Sequence, residues 1–401
     1  MVTTMRKFLF YSICFLALVF LQNCNKEAGD YSSSSSYDKA GSGFGSSSSS
    51  GGTGQDTTKK KAGVITAAEW NDLKNWSFWQ GLRPYLDSTQ YGALWGFNVA
   101  EHTTLILTDM SGKSVIDATI VVKNGNNKVW EAKTDNKGRA EFFVSLFGGQ
   151  AAQLTISAQY DGVLYDLGAY MPMSDGLLNK QIAVPTARQT PQNLDVMFVV
   201  DATGSMGDEL EYLKIELSDV ISRIHSQNAA LNLKIGSVFY RDKGDEYLTR
   251  TLPFTNNAIE LTQFVQNQKA GGGGDTPEAV EVACEEALRQ NWRPQALARV
   301  MFLLLDAPPH SDQSDIKVRL EKITRQAAQN GIKIVPIFAS SSAKEAEFLM
   351  RFMAMATNGT YIFITDDSGI GNTHIKPTVG KYQIEYLNDL LVRLMKEYTT
   401  L

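Results

Sequence analysis

The sequence predicts an α/β fold, with a central, mostly parallel sheet and helices on both faces, preceded by a small all-β sandwich. Between residues 192 and 401, buried-strand segments alternate with segments whose apolar residues recur at helical spacing. Between residues 97 and 184 the apolar period is two and the segments are short. The 401-residue chain also exceeds the roughly 250–300 residues at which one core commonly divides.

Composition narrows the class of protein before any motif is considered. The formal charge is −5, from 38 basic and 43 acidic residues. Non-specific nucleic-acid binding requires a basic surface, so we expect no nucleic-acid partner. Three cysteines are too few for a disulfide scaffold. We therefore expect a mildly acidic protein with a large apolar core.

The N-terminus has the pattern of a secretory signal. A basic start precedes an apolar run over 8–21, which is shorter than the roughly 20 residues of a membrane span. The run ends in Leu21-Gln-Asn-Cys24, which resembles the lipobox that directs lipidation of a cysteine in bacterial lipoproteins. This resemblance implies a signal peptide over 1–23 and a lipid on Cys24. An ordinary secretory signal with a chance cysteine is the alternative.

A flexible tether is predicted over 24–61. Residues 31–55 contain eleven serines and six glycines, and such a chain buries too little apolar surface to offset its ordering entropy. A coil of roughly 35 residues spans on the order of 30–35 Å. Lipid and tether together predict a domain held near a membrane of a bacterial cell envelope, at the outer membrane or cell surface.

A tryptophan-rich lead-in is predicted over 62–96, where four of the six tryptophans of the chain lie. The stretch 67–76 predicts a short helix. The tryptophans are expected to pack the lead-in onto the following domain, and an exposed face that stacks on a sugar or partner is the alternative. They are Trp70, Trp76, Trp79 and Trp95.

Residues 97–186 predict a β-sandwich, because short alternating segments separated by turn residues are typical of that architecture. The stretch 117–140 resembles carboxypeptidase-regulatory-like or big-Ig sandwiches, which implies a spacer or a binding module. The predicted strands are 103–108, 115–122, 128–134, 140–144, 152–157 and 181–184.

The α/β domain is predicted over 190–401, with an antiparallel edge near 246–254. Ligands of such sheets bind where the C-terminal ends of the strands meet. The predicted buried strands are 194–200, 233–240, 300–305, 332–338 and 360–364.

Oxygen-bearing side chains collect at that edge of the predicted sheet. Asp201, Thr203 and Ser205 follow the first strand, and Asp306 follows the strand over 300–305. Hard divalent cations prefer such all-oxygen sites. We therefore expect a Mg²⁺ site, with Mn²⁺ and Ca²⁺ as alternatives. Three further candidates lie on a glycine-rich loop before a helix, namely Asp275, Thr276 and Glu278.

The spacing Asp201-x-Thr203-x-Ser205 resembles the D-x-[ST]-x-S motif of von Willebrand factor type A domains. The resemblance covers about half the chain and implies a Rossmann-like fold with a metal-ion-dependent adhesion site, or MIDAS. It implies that Thr203 and Ser205 are hydroxyl ligands of the metal. It also implies that Asp201 and Asp306 bind the metal directly or through water.

The remaining ligand is expected on the glycine-rich loop. Its sequence Asp-Thr-Pro-Glu resembles the Asp-Ser-Pro-Glu of integrin β-type domains, whose glutamate contributes to the site. This resemblance favours Glu278, and Asp275 and Thr276 stay open as alternatives. Asp242 lies at a predicted strand end and is expected just behind the ligands.

The resemblance implies a binding function, in which the metal accepts a carboxylate from a protein or matrix partner. The alternatives are an envelope lipoprotein whose metal only stabilises the fold, and a metal-dependent hydrolase or phosphatase. Enzymes are disfavoured, because Thr203-Gly-Ser-Met-Gly207 lacks the first glycine of G-x-S-x-G. Phosphotransferases with D-x-D-x-T carry a carboxylate where Thr203 stands, and no P-loop lysine follows Gly274.

Overall fold

The computed structural model describes residues 61–88, 90–148, 154–184, 189–339, 343–369 and 376–401. The predicted signal peptide, Cys24 and nearly all of the predicted tether lie outside these residues. The described residues form one compact unit. Among the helices of the described residues, none combines the length and the apolar character that crossing a membrane requires.

Fifteen strands and eight α-helices occur within the described residues. The strands are β1 (Thr66–Trp70), β2 (Thr103–Asp109), β3 (Thr119–Asn124), β4 (Asn127–Lys133), β5 (Arg139–Phe142), β6 (Leu154–Tyr160), β7 (Val163–Tyr170), β8 (Gly176–Ile182), β9 (Asn193–Asp201), β10 (Asn232–Tyr240), β11 (Thr249–Thr255), β12 (Ala296–Leu305), β13 (Ile332–Phe338), β14 (Tyr361–Ile364) and β15 (Ile384–Tyr386). The α-helices are α1 (Trp76–Ser88), α2 (Gln90–Trp95), α3 (Gly207–Gln227), α4 (Ala258–Gln266), α5 (Val280–Arg289), α6 (Ile316–Asn330), α7 (Lys344–Ala356) and α8 (Leu387–Thr399).

The large sheet has the order β11-β10-β9-β12-β13-β14-β1-β15 within the described residues. Its five central strands, β10, β9, β12, β13 and β14, run parallel. β11 and β1 run antiparallel to their neighbours. This topology confirms the predicted α/β class and its mostly parallel sheet.

Helices cover both faces of this sheet, which explains why its central strands are continuously apolar. On β9, Val196, Phe198 and Val200 pack in one core with α3, α4 and α8. The intervening Met197 and Val199 pack in a second core with α5, α6 and α7. Alternate residues of β9 therefore pack on opposite faces of the sheet. The C-terminal strand ends lie between the two helical layers.

The helix predicted over 67–76 is wrong, because residues Thr66–Trp70 form strand β1. This strand lies between β14 and β15 and pairs with both in antiparallel register. Sheet neighbours on both sides outweigh the helical preference of the Ala-Ala-Glu segment. The helix begins only at Trp76.

The lead-in is attached to the helices on both faces of the sheet. Ahead of β1, the buried Glu216 of α3 accepts the backbone N–H groups of Gly63, Val64 and Ile65 at 2.8–3.2 Å. After β1, Asp72 forms a buried bidentate ion pair with Arg351 of α7 at 2.6 and 2.9 Å. The lead-in is thus an integral part of the α/β layer.

The lead-in tryptophans are all buried, which confirms the packing interpretation over an exposed stacking face. Trp79 lies 4.9 Å from the guanidinium of Arg351 on α7. The Trp95 indole donates to the carbonyl of Glu345, in the first turn of α7, at 2.9 Å. These rings share one apolar cluster with the sandwich and with α5–α7.

The sandwich consists of a three-stranded sheet, β5-β2-β8, and a four-stranded sheet, β4-β3-β6-β7, in the described residues. The sequence prediction missed β7. The β6–β7 register shifts between Ile156 and Ser157, and Gly168 has φ +92°, so no clean alternation marks β7. Ion pairs of Asp117 with Arg299 at 2.8 Å and of Asp135 with Lys333 at 3.1 Å join the sandwich to the α/β part.

Candidate metal centre

Strand β9 ends at Asp201, whose buried carboxylate organises the segment that follows. Asp201 Oδ1 accepts the backbone N–H of Thr203 at 2.8 Å and the Thr203 hydroxyl at 2.6 Å. Thr203 Oγ1 lies 3.2 Å from Ser205 Oγ. Residues 201–206, called here the motif loop, therefore bring one carboxylate and two hydroxyls together.

Asp306 reaches the same edge from the neighbouring strand. The parallel register pairs Leu304 with Val200, so the residues that follow β12 and β9 emerge side by side. Asp306 is 6% exposed. The Ser205 hydroxyl is close enough to offset part of the rise that burial causes in the pKa of Asp306.

The third contributor is the segment that carries Glu278. Its backbone N–H donates to the carbonyl of Pro308 at 2.9 Å, just beyond Asp306. The glycine loop, residues 269–274, is bonded to the motif loop through Gly204 N–H to Gly272 O at 3.0 Å. The backbone therefore ties all three loops together and holds Glu278, which is 2% exposed, at their junction.

Gly273 shows how closely these loops approach one another. Its φ is +70°, and a Cβ there would lie 3.0 Å from Glu278 Oε1 and 3.3 Å from Thr203 Cβ. A side chain at this position would be strained by the backbone and crowded by the site. The glycine thus allows Glu278 to stand against the motif loop.

Three buried carboxylate oxygens at this junction have no hydrogen-bond partner among the described residues: Asp201 Oδ2, Glu278 Oε2 and Asp306 Oδ1. Burying a carboxylate oxygen without a partner is costly, and three together repel one another. Atoms of this kind are satisfied by a cation or by protons.

The pKa values of these three carboxyl groups are raised accordingly. Burial, and then the charge of Asp306, raises the pKa of Asp201 to about 7. Burial, and then the charges of Asp201, Asp242 and Asp306, raises the pKa of Glu278 to about 9. Burial also raises the pKa of Asp306. Each raised pKa shows that the surroundings of that carboxyl group disfavour its negatively charged form.

The donor set fits a hard divalent cation. Within the described residues, no three His, Cys, Asp or Glu side chains form a metal-holding group by themselves. The junction instead combines carboxylates with the hydroxyls of Thr203 and Ser205, and all of these donors are oxygens. Oxygen-only donors suit Mg²⁺, Mn²⁺ or Ca²⁺ better than metals that prefer nitrogen or sulfur.

The other candidate residues are placed differently. Asp275 and Thr276 are exposed, whereas Asp242 is buried and lies close enough for its charge to raise the pKa of Glu278. Asp242 Oδ1 lies 2.8 Å from His310 Nε2. Of the alternatives on the glycine-rich segment, the structure brings Glu278 into the junction.

Two residues of this region were assigned no role from the sequence. Asp245 accepts the backbone N–H of Gly273 at 2.9 Å, and Arg241 donates to the carbonyl of Ala202 at 3.2 Å. Both lie in the loop after β10. Their position at a strand end does not by itself distinguish a supporting residue from a solvated one.

A family model described as the von Willebrand factor type A domain matches residues 195–374, a range that includes nearly all of β9–β14 and the three loops. Two curated proteins are similar over parts of this chain. An ariadne-like RING finger protein of Acanthamoeba polyphaga mimivirus is 34% identical over 120 residues, which is 29% of this chain and 11% of that protein. An alpha-protein kinase of Dictyostelium discoideum is 31% identical over 122 residues, which is 30% of this chain and 19% of that protein. The matches thus span only a tenth to a fifth of these relatives.

Two solved structures from Bacteroides resemble this chain weakly. The protein BatB from Bacteroides thetaiotaomicron is 15% identical with a TM-score of 0.34, over 51% of this chain and 97% of that chain. An aerotolerance-related membrane protein from Bacteroides fragilis is 15% identical with a TM-score of 0.33, over 52% of this chain and 98% of that chain.

Proposed function

We propose that the von Willebrand factor type A domain of this chain binds a divalent cation and uses it to engage a partner. Domains of this family generally mediate protein–protein interaction, so a binding function is the starting point. Asp201 and Asp306 would bind the cation directly or through water, and Glu278 would contribute a further carboxylate oxygen. Thr203 and Ser205 would contribute hydroxyls. Mg²⁺ is the favoured cation, with Mn²⁺ and Ca²⁺ as alternatives.

The observation that carries this proposal is the set of three unpartnered, buried carboxylate oxygens at one junction. A bound cation would supply the positive charge that these oxygens lack, and it would offer a position to a carboxylate of the partner. The partner is therefore expected to be a protein or matrix component that presents an Asp or Glu. The exposed Ser205 marks the open side of the junction.

Calorimetric titration of the chain lacking the predicted signal peptide tests the cation directly. We expect Mg²⁺ or Mn²⁺ to bind with one-to-one stoichiometry, because the candidate ligands surround a single junction. A titration with Ca²⁺ under the same conditions ranks the alternatives. If none of the three cations binds, the metal-dependent function is wrong.

We also propose that Cys24 carries a lipid and that residues 24–61 tether the chain to the bacterial cell envelope. The support is the Leu21-Gln-Asn-Cys24 pattern and the serine- and glycine-rich stretch after it. Wild-type protein expressed in a bacterium should sediment with membranes, and Cys24→Ser should move most of it to the soluble fraction. Equal sedimentation of both proteins would contradict lipidation at this cysteine.

A purely structural cation is the second candidate function, and the same buried oxygens support it, since neutralising them stabilises the fold whether or not a partner binds. Partner binding separates the two. Loss of partner binding in a folded Asp201→Asn variant supports adhesion, and unchanged partner binding supports the structural role. An enzymatic activity is not part of this proposal.

A further inference from the structure

We infer that Arg241 is a positioning residue of the metal centre, which holds the motif loop and the glycine loop at the separation that cation binding requires. The inference rests on the proposed function and extends it to a residue that cannot itself be a cation ligand. It predicts that cation affinity depends on the shape of this side chain as well as on its charge.

Arg241 lies directly after β10 and is buried, with one guanidinium contacting both loops. Its Nε donates to the carbonyl of Ala202 in the motif loop at 3.2 Å. Its Nη2 donates to the carbonyl of Lys269 at the start of the glycine loop at 2.9 Å. A planar group with several fixed donors can span two carbonyls, which the single ammonium of a lysine does less well.

The guanidinium is itself held in place. It lies 4.5 Å from the centre of the Tyr247 ring, and its Nη1 is 3.5 Å from a carboxylate oxygen of Glu246. A Cβ on Gly271 would lie 3.2 Å from its Nη2, so the glycine loop packs closely against it. None of these contacts is made by the side chain of a proposed metal ligand.

The two carbonyls that Arg241 bonds are adjacent to the proposed ligands in the chain. Ala202 stands between Asp201 and Thr203, and its carbonyl also accepts the N–H of Gly271 at 3.0 Å. The glycine loop continues toward Glu278. A change in the spacing of the two loops would therefore move Glu278 relative to the motif loop.

Asp245 closes the glycine loop from the other side. Its carboxylate accepts the N–H of Gly273 at 2.9 Å and the N–H of Asp242 at 3.1 Å. The loop after β10 is thus hydrogen-bonded to both ends of the glycine loop, through Arg241 at Lys269 and through Asp245 at Gly273. Supporting residues of this kind typically change metal affinity by roughly 10–100-fold when they are altered.

The test compares Arg241→Lys with Arg250→Lys in the full mature chain. Arg250 is the matched control, because it also stacks on Tyr247, at 3.8 Å, and pairs with Glu246, at 2.9 Å, whereas its described contacts do not include the two loops. Both substitutions keep the positive charge. Calorimetry with Mg²⁺ gives the affinity, and the electron paramagnetic resonance spectrum of bound Mn²⁺ reports the coordination geometry.

We expect Arg241→Lys to weaken Mg²⁺ binding at least about tenfold and to alter the Mn²⁺ spectrum, while Arg250→Lys stays within about twofold of wild type. Wild-type affinity and spectrum in folded Arg241→Lys would overturn the inference alone. Absence of binding by the wild type would overturn the proposed function and the inference with it.

If Arg241→Lys does not fold, Tyr247→Leu replaces it, because that change removes the ring behind the guanidinium and leaves the arginine present. The expected result is then a weaker affinity, by at least about threefold, with an altered Mn²⁺ spectrum. An unchanged affinity and spectrum in that variant would overturn the inference.

Discussion

Asp201→Asn should make the metal-free protein more stable and at the same time abolish its response to Mg²⁺. The substitution is expected to raise stability without metal and to lower the affinity for Mg²⁺. The Asn side-chain oxygen can still accept the Thr203 N–H and hydroxyl that bond Asp201 Oδ1. The second oxygen, buried and unpartnered in the wild type, is replaced by an amide that carries no charge.

The gain without metal is expected to be large at pH 8. There the wild-type carboxylate is mostly ionised against a pKa of about 7, and a displacement of that size corresponds to a few kcal/mol. Melting in EDTA should therefore shift upward by about 5 °C. With Mg²⁺ present the effect has the opposite sign, since the charge that Mg²⁺ would neutralise is gone, and affinity should fall by about 100-fold or more, which corresponds to about 2.7 kcal/mol.

Differential scanning calorimetry in EDTA and in excess Mg²⁺ measures both effects. Asp208→Asn is the matched control, because Asp208 is an exposed acidic residue in the first turn of α3, close to the site in sequence. That variant should melt within about 2 °C of wild type and keep its full Mg²⁺ response. A destabilised Asp201→Asn protein that still responds to Mg²⁺ would contradict the assignment of Asp201.

The second large effect is a Mg²⁺ stabilisation that grows with pH. The folded-state pKa values of Asp201 and Glu278, about 7 and about 9, lie above the ordinary values of 3.8 and 4.5. The folded protein therefore binds more protons than the unfolded chain between these limits. Stability from these groups is fully present below about pH 4 and is lost as the pH rises through 7 and then 9.

A cation competes with those protons, so it replaces the stability that deprotonation removes. In EDTA the melting temperature should fall between pH 5 and pH 9, and in excess Mg²⁺ it should fall much less. At a Mg²⁺ concentration 100 times the dissociation constant, the added stability is about 2.7 kcal/mol. A Mg²⁺ effect of equal size at pH 5 and pH 9 would contradict the proposed ligands.

Asp201→Asn also serves as the control for this series. Because it removes the group with a pKa near 7 and also a charge that raises the pKa of Glu278, the fall in EDTA should become shallower between pH 5 and pH 7 and should end at a lower pH than in the wild type. A curve identical to that of the wild type would mean that other groups control the pH dependence.

The sheet and most of its strands could be predicted from the sequence because burial on both faces leaves an unmistakable apolar run. β9 is such a run, and the oxygen-bearing residues that follow it were recognised by their position at a strand end. The lead-in strand could not be predicted, since its identity comes from β14 and β15, which lie hundreds of residues away. Local preference carries no information about such partners.

The glycine-rich segment shows the same limit within the candidate site. Asp275, Thr276 and Glu278 are close in sequence and all carry oxygen donors, so their chemistry alone does not separate them. The structure separates them, because the Glu278 N–H is bonded to Pro308 O and its side chain is buried, whereas Asp275 and Thr276 are exposed. No role could be assigned to Arg241 from the sequence, because its bonds are to backbone carbonyls, which no side-chain pattern reveals.

The insertion of β1 between β14 and β15 has a consequence for biosynthesis. Thr66 and Thr365 are hydrogen-bonded although they are 299 residues apart, so β1 leaves the ribosome long before its neighbours exist. Pairing over such sequence separations slows folding, and an unpaired strand is prone to aggregation in the meantime. Assembly of this edge of the sheet must wait until β15 has been made. In a nascent chain, β1 would therefore stay without its two sheet neighbours through most of the synthesis, even after the strands of the sandwich are complete.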